Sequence, residues 1–293
     1  MGAFDLDTRV ESLGGGRYRA TPHPDWTIWG PNGGYLAVIA MRACGAEAQI
    51  VRPSSLTCHF VSVARFEPLE IQVEVLRAGR RSELIRGSMR QGGRLVVEVL
   101  LRTAQEGPGL EHDVAQPPAV PHFDALPSVD ELLPAEAFRH PFWKNLESRF
   151  PDPSRVGQPP SARAPVRTEW QRFRPRAVFR DRWVDAGRSL LLIDTLGWPA
   201  AAGPHPDSGF IAPSLDVTTW FHDFDPESGW LLVHHESPVA RHGLMSAFGS
   251  VFSETGRLLA SGGTHLLCAP APAADQEAPR PSSGASRSPS RAR

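Results

Sequence analysis

Between Leu69 and Val75 apolar and polar residues take turns: Leu69, Ile71, Val73 and Val75 against Glu70, Gln72 and Glu74. A period of two predicts a strand with one buried face. Ala78-Gly79 and Gly92-Gly93 then mark turns. From Arg94 to Arg102 the pattern becomes almost continuously apolar, which predicts a central strand covered on both faces. Two longer apolar stretches, Tyr35 to Cys44 and Ser189 to Ala201, have no such alternation and predict helices. Each precedes a strand run, one opening at Ser55-Leu56-Thr57 and the other at Ser214-Leu215-Asp216.

The two openings lie 159 positions apart (214 − 55), and Gly93-Arg94-Leu95 answers Gly256-Arg257-Leu258 at 163 (256 − 93). A duplicated unit of one helix followed by strands explains both offsets. One buried helix with an antiparallel meander is the hotdog arrangement, so the expected fold class is α+β, a double hotdog. The expected units are residues 1–106 and 166–269, joined by a Pro-rich connector over 107–165 and followed by a tail over 270–293. The connector holds twelve of the 29 prolines. Ser128-Val129-Asp130-Glu131 is a capping-box pattern and predicts a short helix ahead of Leu132 and Leu133. From Ala269 onward the chain has no aromatic or branched apolar residue that extends the core, and its composition predicts disorder.

A length of 293 residues with 41% hydrophobic content suits two core-forming units. A net charge of −1 gives no electrostatic case for nucleic acid or an anionic membrane surface. Cys44, Cys58 and Cys268 are odd in number and lack metal-binding spacing, which argues for a reduced, cytoplasmic setting without a bound metal. The most apolar helix candidate, Tyr35 to Cys44, is about half of the ~20 residues that cross a bilayer. No motif for a nucleotide cofactor occurs, and G-x-S-x-G is absent. No cofactor is expected, and a homo-oligomer is left open.

Trp26-Thr27-Ile28-Trp29-Gly30-Pro31-Asn32-Gly33-Gly34-Tyr35 opens the first apolar helix. Ser214-Leu215-Asp216 with Trp220-Phe221-His222, then Glu236-Ser237-Pro238 and Gly256-Arg257-Leu258-Leu259-Ala260-Ser261, follow in the second half. In order and spacing these resemble the acyl-CoA thioesterase II (TesB-like) double-hotdog family over residues 20–105 and 165–270. The resemblance implies a hydrolase of acyl-CoA or acyl-carrier thioesters, with a place in lipid metabolism. It also implies that Asp216 matches the family's catalytic aspartate and Ser237 its hydroxyl residue. The family's glutamine position falls on Thr264, beside His265. Neighbours on a strand face opposite ways, so only one of Thr264 and His265 lines a pocket unless the backbone bulges. Asp194, on the second apolar helix, matches a position where the family often carries aspartate.

The residues support part of this chemistry by themselves. Asn32, Gly33, Gly34 and Tyr35, with Asp194, are the expected substrate contacts, because the helix start places unpaired N–H groups and a partial positive charge where a thioester carbonyl could lie. Asn32-Gly33-Gly34 also reads as an N-cap and packing glycines. Asp216 in a strand-like run is intrinsically unfavourable, which suits either a base or a salt-bridge partner. Its counterpart at the offset of 159 is Thr57, so a single active site is expected. The arginines from Arg167 to Arg182 could meet the phosphates of coenzyme A or form a solvated strand face. Two alternatives stand beside hydrolysis: a catalytically weak acyl-thioester binding protein, and a hotdog dehydratase or hydratase.

Overall fold

The computed structural model describes residues 1–138, 140–159 and 161–271. The first half contains helix α1 (Phe4–Asp7), strands β1 (Glu11–Gly14) and β2 (Arg17–Ala20), helix α2 (Gly33–Glu47), and strands β3 (Pro53–Phe60), β4 (Leu69–Ala78), β5 (Ser82–Gln91) and β6 (Arg94–Ala104). Helix α3 (Val129–Leu132) and strand β7 (Leu146–Arg149) follow. The second half continues with β8 (Val166–Phe173), α4 (Arg182–Thr195), α5 (Gly197–Ala201), β9 (Phe210–Ile211), β10 (Ser214–Phe221), β11 (Trp230–Arg241), β12 (Leu244–Phe252), β13 (Leu258–Leu267) and β14 (Ala269–Pro270). Twelve strands form one sheet in the order β1-β2-β4-β5-β6-β3-β10-β13-β12-β11-β8-β7, and every neighbouring pair is antiparallel. This is the double hotdog expected from the duplicated pattern.

The halves join where β3 meets β10. Thr57 stands opposite Thr218, and the Thr218 hydroxyl donates to that of Thr57 at 3.2 Å. The register steps by one residue between Pro53 and Ser55 on one strand and between Ser214 and Asp216 on the other. A pseudo-twofold axis between the two threonines therefore relates Asp216 to Ser55, an offset of 161 (216 − 55), and not to Thr57. Pattern matching across loops of unequal length misplaced the counterpart by two residues. The position has no acid in the first half on either reckoning.

Helices α2 and α4 lie together against one face of the sheet. Apart from Arg42 and Glu47, α2 is apolar, and its middle is buried except at Arg42, as suits a helix enclosed by sheet and partner. Absent side chains allow the close approach. A Cβ on Gly34 would lie 2.9 Å from the Leu191 backbone, and one on Gly187 would lie 2.8 Å from Val38. Core residues of both halves, from Leu36 and Leu56 to Leu192 and Val251, belong to a single apolar cluster. α4 begins seven residues ahead of the expected Ser189, because Asp181 caps it by accepting from Trp183 N at 2.8 Å. It ends at Thr195, and α5 starts separately at Gly197.

β6 is central, as its apolar run predicts, but only one of its faces is sealed. Val97, Val99 and Leu101 are buried under α2, whereas Leu100 is 42% exposed. Trp220 and Phe248 share that outer face and are also exposed.

The 107–165 segment departs from a plain connector. Ser128 caps α3 in the expected capping box, while β7 extends the sheet beside β8. Phe123 and Leu126 pack with Trp170, Trp230, Leu232 and Phe252 of the second half. Order also runs past the expected start of the tail: β14 pairs with β9, and Ala271 N donates to Gly209 O at 2.9 Å. The rest of that tail, 272–293, lies outside the described residues.

Candidate active site

Asn32 caps α2 and ties it to the second half. Its Oδ1 accepts from Tyr35 N at 2.8 Å, and its Nδ2 donates to the Thr195 hydroxyl at 3.1 Å. Asp194, at the end of α4, reaches the same helix start, where its Oδ2 accepts from Gly34 N at 2.6 Å. Its Oδ1 is buried with no hydrogen-bond partner among the described residues. Burial pushes the Asp194 carboxyl up to about 6; the Ser214 hydroxyl and the Gly34 N–H pull it down, and the charge of Asp216 pushes it further up. Two of the first N–H groups of α2 are thus taken by side chains. Among the described residues Gly33 N–H has no partner and remains the donor available to an incoming oxyanion.

Two further residues of this mouth carry no signal that pattern reading could use. A Cβ on Gly33 would lie 3.0 Å from both Asp194 Oδ2 and the Phe60 ring. Phe60 closes β3 and Ser214 opens β10, so each is placed by where a strand stops rather than by its own chemistry. Gly34 is buried against Leu191, and Tyr35 is not at the mouth. Tyr35 is fully buried, stacks on Trp26 at 5.2 Å, and donates its hydroxyl to Asp7 O at 2.7 Å while accepting from His23 N. Burial pushes its phenol well above the usual range. The expected substrate contact at Tyr35 is therefore replaced by a core role.

Asp216 is two residues from Ser214 but faces the other way. The step in register at Leu215 places Asp216 beside His59 of β3 and His265 of β13, on the outer face of the sheet. His265 Nδ1 lies 4.0 Å from Asp216 Oδ2, with side chains 45% and 33% exposed. Thr264 points inward, is buried, and donates its hydroxyl to the Asp216 carbonyl at 2.8 Å. The bulge that decides between Thr264 and His265 thus lies on the neighbouring strand. Ser237 is buried and spends its hydroxyl on Ser246 O at 2.9 Å. Ser237 and Thr264 belong to one inner row across Ala247, and each hydroxyl has already donated its proton to a backbone carbonyl.

The neighbouring titratable groups are structural. His235 is fully buried and bonds through Nε2 to Ile193 O at 3.0 Å, which holds the end of α4 beside Asp194. Burial pushes its imidazole down to about 4. Arg167 pairs with Glu169, Arg172 with Glu147, Arg174 with Asp130 and Glu147, and Arg176 with Asp5. Most of the arginine run is therefore committed inside the fold. Among the described residues no cluster of His, Cys, Asp and Glu could hold a metal ion, and no helix is long and apolar enough to cross a membrane.

Solved structures share this architecture. An acyl-CoA thioesterase II, TesB2, from Mycobacterium marinum is 21% identical with a TM-score of 0.75, covering 93% of this chain and 100% of its own. A conserved protein with a hot dog fold from Alicyclobacillus acidocaldarius is 21% identical at a TM-score of 0.75, covering 92% and 98%. The tesB protein of Mycobacterium avium subs paratuberculosis is 21% identical at 0.70, covering 91% and 98%. The model of the acyl-CoA thioesterase N-terminal domain matches residues 22–104, and that of the C-terminal domain matches 115–266. The second match takes in most of the Pro-rich segment, in agreement with its packing on the second half. With both domains matched in order over most of its length, the chain belongs to the acyl-CoA thioesterase family and is a thioester hydrolase.

Proposed function

We propose that the protein hydrolyses an acyl-CoA thioester at the mouth formed by the start of α2, the end of α4 and the start of β10. The carrying observation is that Asp194 of the other half holds this helix start, leaving one N–H open at Gly33, while Asp216, on the outer face of the sheet beside His265, is close enough for its charge to act on the Asp194 carboxyl. Their roles differ because their surroundings differ. Asp194 is sealed and holds Gly34 N–H, so it positions the helix start. Asp216 is partly exposed and can hold a water, so it is the base, with His265 beside it. Asp216 takes a proton from that water, the oxygen bonds to the thioester carbon, and the oxyanion is stabilised by Gly33 N–H and the partial positive end of α2. Collapse breaks the carbon–sulfur bond, and the thiolate leaves and recovers the proton. Thr264 contributes by fixing the backbone of Asp216.

Release of free thiol from a panel of acyl-CoAs tests this reading. Hydrolysis that depends on Asp216 supports it. Tight acyl-CoA binding without thiol release would instead establish the acyl-thioester binding protein, and loss of enoyl absorbance the hydratase.

A further inference from the structure

We propose that the cavity at the opposite end of the helix pair is a binding site for a phosphate-bearing anion, built on the duplicate of the catalytic mouth. The pseudo-twofold axis locates it. Gly187 packs on Val38 at the middle of the crossing, Gly34 lies against Asp194 at one end, and Gly45 lies against Trp183 at the other. Residues 32–34 thus correspond to 181–183, an offset of 149 (181 − 32), and Asn32 and Asp181 are both N-caps. On the strands, Ser214 corresponds to Pro53 and Phe60 to Phe221, at the offset of 161. A cavity of about 120 Å³ is lined by Pro53, Arg182 and Phe221, the counterparts of Ser214, Gly33 and Phe60. The mouth was duplicated with the fold, and both copies are present.

The copies differ in chemistry. Asp181 Oδ1 takes both Trp183 N–H and Val184 N–H, and Ser55 stands where the other end has Asp216. This end therefore lacks a carboxylate to activate water at the duplicated position. It has gained arginine in place of glycine. Three acids line the cavity, and each already faces a guanidinium: Asp185 with Arg188, Asp223 with Arg257 at 2.9 Å, and Glu106 with Arg52 at 3.5 Å. Arg182 has no such partner. Its guanidinium lies 4.8 Å over the Phe224 ring, and among the described residues no carboxylate is within ion-pair distance. Stacking fixes the plane of the fork while leaving its N–H donors free, the arrangement that suits phosphate oxygens. Arg52 stands on the same wall, and His222 is held by Ser261 at 2.8 Å. The phosphate could come from the solution or from coenzyme A.

Titration calorimetry on the full chain distinguishes these sources, with inorganic phosphate, coenzyme A and dephospho-coenzyme A as probes. The expected result is phosphate binding that weakens about tenfold or more in Arg182→Gln, as loss of one charged hydrogen-bonding partner implies. Arg52→Gln, outside any helix, should weaken it also, and Asp216→Asn should leave it unchanged. If coenzyme A binds more tightly than its dephospho form and that difference disappears in Arg182→Gln, the coenzyme is the source. If only inorganic phosphate responds to the arginine variants, the source is free phosphate. Binding of all three probes that is identical in wild type, Arg182→Gln and Arg52→Gln, or no binding of any probe, overturns the proposal.

Discussion

A carboxylate enclosed between two helices leaves a signature in stability as well as in activity. Because burial raises the Asp194 carboxyl to about 6, the native state holds its proton at pH values where the unfolded chain has lost it. Its contribution is fully present below the unfolded pKa and is lost as pH rises through about 6. Wild type should therefore lose on the order of 2 kcal/mol relative to Asp194→Asn as pH rises from 4 to 7. Urea midpoints of both proteins across that window measure the difference, and a constant gap would show that the carboxyl is not desolvated. Thr264→Val removes the hydroxyl that fixes the Asp216 carbonyl, and turnover should fall by a factor corresponding to roughly 1 to 3 kcal/mol, with KM little changed. His265→Gln removes the imidazole that lies 4.0 Å from Asp216 Oδ2 and should lower turnover as well, whereas an unchanged rate would remove His265 from the site. At this scale the sequence reveals which residue types are unusual, such as an aspartate in a strand. The direction of Asp216 was not legible, because a single extra residue at Leu215 reverses the alternation on which such a reading depends.

Among the elements, the glycines at the start of α2 have separate duties. Gly34→Val pushes a branched side chain into the Leu191 backbone and should cost roughly 1 to 3 kcal/mol, with a fall of several degrees in Tm. Gly33→Ala meets the Phe60 ring and Asp194 at the open mouth, so it should reduce kcat with a smaller change in Tm. Thermal melts and turnover on the same two preparations check the separation; equal effects on both quantities would mean that the two glycines share one role. Regular elements were the most readable part of the chain. Period two marks β4, a long apolar stretch marks α2, and Ser128 with Glu131 marks α3. What escaped were pieces whose stability is tertiary. β7 has no pattern of its own and exists because β8 offers it an edge, and Phe123 is anchored by Trp170 and Trp230.

Taken whole, the molecule is one sheet around one helix pair, and the proposed catalytic mouth lies where the halves meet. Asn32, Gly33 and Gly34 come from the first half, and Asp194, Ser214 and Asp216 from the second. A core shared in this way should unfold in a single calorimetric transition, with equal calorimetric and van't Hoff enthalpies. Two resolved transitions would show that the units melt independently. The duplication itself was legible from repeated motifs, but the axis was not, because loops of unequal length hide the true offset until strand pairing fixes it. The central claim is that Asp216 is the base of a thioester hydrolase, and turnover of acyl-CoA by purified Asp216→Asn beside wild type tests it most directly. With Tm unchanged, free-thiol release should fall by a factor of ~10² to 10⁴; a folded variant that turns over at the wild-type rate would contradict the account.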